Sequence, residues 1–339
     1  NPEYLEINFG NECNFKCGYC HPKYSSTFHS EIKKFGPVET VKNHRCDVDW
    51  MKLFEREEEN PYVDAFWEWW PELRKTLNIL RVTGGEPTMH TSTWKLLKQI
   101  DADPMPWLEL NINSNLGTKT ALIERLSDSV KKLCDEDKLE SFKLFTSLDT
   151  WGPRAEYTRT GLDLELWEKN FHTYLTRTDS PITFMVTFNL FCVTSFTGLL
   201  KKFLEWRTLY GWYDDKPNDK HRVRFDTPYL REPLQYDMNI LPKEEYMPYM
   251  YESLKFMEDN VDDERSDKFT TLEYEKFKRV VDYMQETVYT DEKLIEGRRD
   301  FYNWFNELDD RREADFLSVF PEMMDFYKLC QTVNLTNPL

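Results

Sequence analysis

Three cysteines fall within eight consecutive positions, Cys13-Asn14-Phe15-Lys16-Cys17-Gly18-Tyr19-Cys20, directly behind the alternating stretch Tyr4-Leu5-Glu6-Ile7-Asn8-Phe9, which breaks at Gly10-Asn11. The alternation reads as a strand and the break as a loop leaving it. Three thiols therefore sit beyond the C-terminal end of a strand, where parallel α/β sheets carry their reactive sites. Three thiolates can hold three irons of a cubane and leave the fourth iron without a protein ligand, open to a chelating substrate or cofactor. Because His21 follows Cys20 directly, a closed Cys₃His zinc site is the competing reading. Two adjacent ligands would strain a tetrahedral site, and no second CxxC pair is present to build a ribbon.

The remaining cysteines, Cys46, Cys134, Cys192 and Cys330, are isolated. One tight cluster in a long acidic chain reads as a metal site in a reducing compartment rather than a disulfide framework. With 44 basic against 61 acidic residues the net charge is −17, a field that repels phosphate backbones, so nucleic acid is not an expected partner. No stretch approaches the ~20 apolar residues that cross a bilayer, and no charged-then-apolar leader opens the chain. A cytoplasmic location without a membrane partner is expected. The chain begins at Asn1 rather than Met, which leaves a preceding segment open.

Strand and helix patterns alternate along the first two thirds. Strands are expected at Asn78 to Thr83, Leu108 to Ser114, Phe142 to Leu148, Ile182 to Asn189 and Arg222 to Thr227. Helices are expected at Thr91 to Ile100, Lys119 to Cys134, Leu162 to Thr176 and Ser195 to Tyr210. With the first strand this makes six, implying a parallel sheet with right-handed crossovers, curled or doubly wound. Residues from about 24 to 75 read as an elaborated, partly helical first crossover, whose Trp67, Trp69 and Trp70 are expected to pack rather than line a pocket. Beyond Pro242 only helical spacing appears, over Glu244 to Asn260, Thr271 to Tyr289, Glu296 to Asp310 and Asp315 to Cys330. At 339 residues the chain reads as one large α/β domain with a helical appendage.

CxxxCxxC behind the first strand, followed by Gly84-Gly85-Glu86-Pro87 behind the second, resembles the radical S-adenosylmethionine superfamily. Taken alone the second motif is an ordinary turn, and its weight comes from its position. The resemblance implies a partial (β/α)6 barrel over residues 1–241 with a helical extension over 242–339. It implies a [4Fe-4S] cluster on Cys13, Cys17 and Cys20, and S-adenosylmethionine chelating the open iron. Reductive cleavage there would give a 5′-deoxyadenosyl radical that abstracts a substrate hydrogen. The implied partners are a low-potential electron donor such as a flavodoxin or ferredoxin, and a small-molecule or peptide substrate that the sequence does not identify.

The resemblance also assigns cofactor-binding roles. Gly84 and Gly85 permit close backbone approach, and Glu86 pairs with the cofactor's ammonium group. Tyr19 either packs near the adenine or packs its own loop. Ser147 and Asp149 meet the cofactor's polar groups, and Arg159 either holds its carboxylate or forms a surface salt bridge. Asn113, Asn115 and Asn189 either contact ribose or adenine or form strand-end turns.

The subgroup it most resembles is the twitch-type radical enzymes of phage and environmental sequences, which carry an auxiliary cluster on further clustered cysteines. Here the isolated cysteines depart from that pattern. Either the auxiliary segment precedes Asn1 or this chain lacks one. Two other readings remain: a structural zinc or iron–sulfur protein that binds a partner, and a nucleotide-binding α/β protein, for which no GxGxxG or phosphate loop is present.

Overall fold

Period-two alternation of apolar residues generates a sheet whose strands follow one another in chain order. The computed structural model describes residues 1–41, 60–211 and 221–337. Its elements are β1 (Tyr4–Asn8), α1 (Ser26–Phe35), α2 (Pro61–Leu73), β2 (Ile79–Thr83), α3 (Thr91–Ala102), β3 (Met105–Asn113), α4 (Thr120–Asp135), β4 (Leu139–Thr146), α5 (Pro153–Thr158), α6 (Leu164–Arg177), β5 (Ile182–Met185), α7 (Phe196–Tyr210) and β6 (Val223–Asp226). Helices α8 (Lys243–Glu258), α9 (Thr271–Glu286), α10 (Asp291–Arg312), α11 (Phe316–Val319) and α12 (Met324–Thr336) follow.

The six strands form one sheet in the order 1-2-3-4-5-6, with β1 to β4 paired in parallel. An order that never reverses means that successive right-handed crossovers wind the same way, as in a barrel rather than a doubly wound sheet. β1 and β6 lie at the two ends of that order, so the (β/α)6 barrel is partial.

By contacts the described residues divide into two compact units. The first comprises residues 1–34, 60–147 and 161–183, the second 35–41, 148–160, 184–211 and 221–337, and the division falls within β5. In the first unit Leu80, Val82, Leu110, Ile112 and Leu144 are fully buried, and α3, α4 and α6 supply Leu96, Ile123, Leu126, Trp167 and Phe171 to the same core. Phe66 and Trp67 of α2 pack on Phe9, and Trp70 packs on both of them, as expected, while Trp69 departs from the expectation and is exposed.

The second unit is cored by aromatic side chains, with Phe203 stacked on Phe225 at 4.5 Å and Phe191 on Phe320 at 4.9 Å. Arg207 of α7 forms a buried bidentate pair with Glu273 of α9 at 2.5 and 3.1 Å, and its Nε donates to the carbonyl of Val223 in β6.

Several expected boundaries move. The fifth strand is regular only to Met185, although Val186 N and Phe188 N still donate to Asp226 O and Pro228 O, and the chain turns at Asn189, whose side chain accepts from Phe191 N and donates to Thr187 O. The last expected helix breaks into α11 and α12 at Pro321, which has no N–H to continue a helix. α5 falls where no helix is expected. No helix among the described residues is long and apolar enough to cross a membrane.

Candidate active site

The cysteine loop leaves β1 through Asn8, whose Oδ1 accepts the N–H of Gly10 at 3.0 Å. It is tied back to the start of α1. Ser26 N donates to Asn11 O at 2.8 Å, Cys13 N donates to Ser26 Oγ at 3.2 Å, and the hydroxyls of Ser25 and Thr27 both donate to Phe15 O at 2.6 Å. Cys20 N donates to Cys17 O at 2.9 Å, closing the turn that contains Tyr19. Cys13, Cys17 and Tyr19 are buried, and Cys20 is half-buried. His21 accepts the N–H of Lys23 through Nδ1 at 3.0 Å, capping the turn Pro22–Tyr24.

The glycine pair meets this loop backbone to backbone. Gly85 N donates to Gly10 O at 3.2 Å and Glu86 N to Glu12 O at 2.6 Å. Gly84 has φ +99°, and a Cβ on Gly85 would overlap the carbonyl of Glu12. The expected close approach therefore exists, and it is made to the chain that carries Cys13. Glu86 is fully buried. Its Oε1 accepts from Thr88 N, Thr88 Oγ1 and Ser114 Oγ at 3.1, 2.7 and 2.9 Å, and its Oε2 from Asn115 N at 2.6 Å. Burial raises its pKa above the ordinary 4.5 against the pull of those bonds. Glu86 thus ties the end of β2 to the end of β3.

Two asparagines complete the clamp. Asn14 donates to Gly117 O, Asn115 donates to Asn14 Oδ1, and Gly117 N donates to Asn115 Oδ1, each at 2.8 Å. Asn115 Nδ2 also lies 3.7 Å from Cys13 Sγ, which accepts from Phe15 N at 3.4 Å. Burial pushes the Cys13 thiol well above its ordinary value, opposed by the Phe15 bond. Asn113, at the end of β3, accepts from Arg81 Nε at 3.0 Å, and Ser147 is half-buried just past β4. Sequence reasoning missed Asn14, Ser114, Thr88 and Gly117. Only Asn115-Leu116-Gly117 carried a signal, as a turn signature behind a strand.

Asp149, Arg159 and Asn189 belong to the second unit. Arg159 Nη2 pairs with Asp149 Oδ1 at 2.8 Å, and Thr187 N donates to the same oxygen at 2.9 Å. Both members are buried, so this pair is no surface salt bridge. Asn189 has both ends of its amide engaged in the turn behind β5.

No group of three or more His, Cys, Asp or Glu among the described residues is arranged to share a single metal ion. The donors of the loop are three thiols in no disulfide, and the adjacent His21 engages its Nδ1 as a cap. An all-sulfur set of three fits a cubane cluster with one open iron, where a closed zinc site needs a fourth ligand. Cys192 and Cys330 are fully buried and Cys134 is half-buried, while Cys46 lies outside the described residues.

No known family model matches the chain, and no curated protein does. Among solved structures it is similar to native anSMEcpe with bound AdoMet and Kp18Cys peptide, at 16% identity and a TM-score of 0.45. The match covers 76% of this chain and 61% of that one, so the chain spans less than two thirds of that protein's length.

Proposed function

We propose that the chain is a radical S-adenosylmethionine enzyme acting on a small-molecule or peptide substrate in a reducing compartment such as the cytoplasm. The observation that carries this reading is the clamp between the two motifs: the Gly84-Gly85-Glu86 turn is hydrogen-bonded to the backbone of the loop bearing Cys13, Cys17 and Cys20. Those three thiolates would hold a [4Fe-4S] cluster. When bound, the cluster supplies one low-potential electron and an iron without a protein ligand, which together cleave S-adenosylmethionine to methionine and a 5′-deoxyadenosyl radical.

The protein's own task is to position and to exclude water. Burial of Cys13 and Cys17 shields the ligand loop from solvent, while half-buried Cys20 leaves an approach. Glu86 ties the end of β2 to the end of β3 through its bonds from Ser114 and Asn115 and offers a buried carboxylate for the cofactor's ammonium. Ser147, Asn113 and Tyr19 are assigned to the cofactor's polar groups, ribose and adenine. A flavodoxin or ferredoxin is the proposed electron source.

Anaerobically reconstituted protein, given a low-potential reductant and S-adenosylmethionine, should form 5′-deoxyadenosine and methionine even without substrate. Changing Cys13, Cys17 or Cys20 singly to Ala should abolish the product. Iron-loaded, reduced protein that forms no 5′-deoxyadenosine under any condition would overturn the assignment.

A further inference from the structure

We propose that Asn115 tunes the cluster from the side chain, donating a hydrogen bond to the ligand sulfur of Cys13 and holding the reduction potential higher than the bare thiolates would. This deepens the reading above and rests on it. The orientation of the Asn115 amide is fixed by its surroundings rather than by choice. Gly117 N is a donor and reaches the amide at 2.8 Å, so the atom it meets must be Oδ1. Nδ2 then faces the other way and has two protons to place. One goes to Asn14 Oδ1 at 2.8 Å, and that oxygen is identified in turn because Asn14 Nδ2 donates to Gly117 O at 2.8 Å. The three bonds close a cycle that settles both amide assignments. The second proton points to Cys13 Sγ at 3.7 Å.

Asn115 is held from its backbone too, since its N–H donates to the fully buried carboxylate of Glu86 at 2.6 Å. The amide therefore reaches Cys13 from a rigid mount, and Phe15 N supplies a second donor to the same sulfur at 3.4 Å. Reduction of an iron–sulfur cluster adds negative charge that spreads onto the ligand sulfurs. Donors to those sulfurs stabilise the reduced form more than the oxidised one and so raise the potential. Asn115 is a positioning residue in this account: it touches the ligand, not the substrate.

Asn115→Leu removes the donor with the same branching and without charge, and Asn115→Asp removes it while keeping an oxygen for Gly117 N. Iron and sulfide per chain are measured first, then the midpoint potential by redox titration followed by electron paramagnetic resonance. Both variants should keep their iron and titrate at a more negative potential than the unaltered protein, the Asp variant further because it adds a negative charge. Full iron with an unmoved potential in both would overturn this inference alone, whereas an unaltered protein that takes up no cluster would overturn the enzyme reading and this with it. Should the variants lose iron, the unaltered protein decides: with asparagine side-chain amides labelled by ¹⁵N and no S-adenosylmethionine added, the reduced cluster should show nitrogen hyperfine coupling, and its absence overturns the proposal.

Discussion

At Gly85 a hydrogen stands where any other residue would place a carbon against the Glu12 carbonyl and the backbone of Asn11. Both obstacles are main chain and give way only if the turn and the cysteine loop part. Gly85→Ala should therefore cost about 1–3 kcal/mol of stability, the usual penalty of overpacking, measured by denaturant unfolding of cluster-free protein so that iron loss does not confound it. Gly198 in α7 meets nothing within 4 Å, and Gly198→Ala should instead stabilise by about 0.4–1 kcal/mol. An equal response at the two positions would contradict the close approach. The cysteines and the glycine pair were legible because each is a short local pattern with its chemistry written in the residue type. The Asn14–Asn115 contact joins residues 101 apart, and no local pattern encodes it. Arg159 shows the same limit: its partner Asp149 is ten residues away, but that the pair is buried is a property of the fold.

Strands and helices were legible wherever apolar periodicity ran long enough to choose between periods, as in β3, α4 and α7. Short or interrupted elements were not. α5 spans six residues behind Gly152 at φ +76°, too few for a period, and Pro321 splits what reads as one apolar stripe. Tertiary ties between elements were invisible, and the Arg207–Glu273 pair is the strongest example. Glu273 is both the N3 residue of the capping box that starts α9 and the partner of Arg207 near the end of α7. Burial alone would raise its pKa, yet the charge and hydrogen bonds of Arg207 hold it below the ordinary 4.5. A depressed carboxylate contributes stability above its unfolded pKa and loses it as pH falls through the folded value. Arg207→Met strands that carboxylate without its cation and should cost about 3–5 kcal/mol near neutral pH. In the variant, burial loses its strongest opponent and acid protonates Glu273 more readily. The gap in melting temperature between the two proteins should hence narrow from pH 7 toward pH 4, and a gap that widens would show that the pair is not what links α7 to α9.

Across the described residues six of the seven cysteines divide by environment, and the division predicts how much iron the chain holds. Cys13, Cys17 and Cys20 share one loop, as a cluster requires. Cys192 and Cys330 are fully buried in the second unit, each with no second cysteine in its own stretch of chain. A solitary core thiol packs as a small apolar group. Cys134 lies on α4 of the first unit with no cysteine near it in sequence. The twitch-type resemblance argues the other way, since an auxiliary cluster would need several of these four together. Replacing Cys46, Cys134, Cys192 and Cys330 by Ala in one chain separates the alternatives. With a single cluster, the original and the altered protein should each bind about four irons per chain after anaerobic reconstitution, and both should form 5′-deoxyadenosine on reduction with S-adenosylmethionine. Because the replacements leave small cavities at Cys192 and Cys330, the melting temperature should fall while the iron count stays. An original protein holding about eight irons, with half lost in the altered chain, would place a second cluster on the cysteines outside the loop.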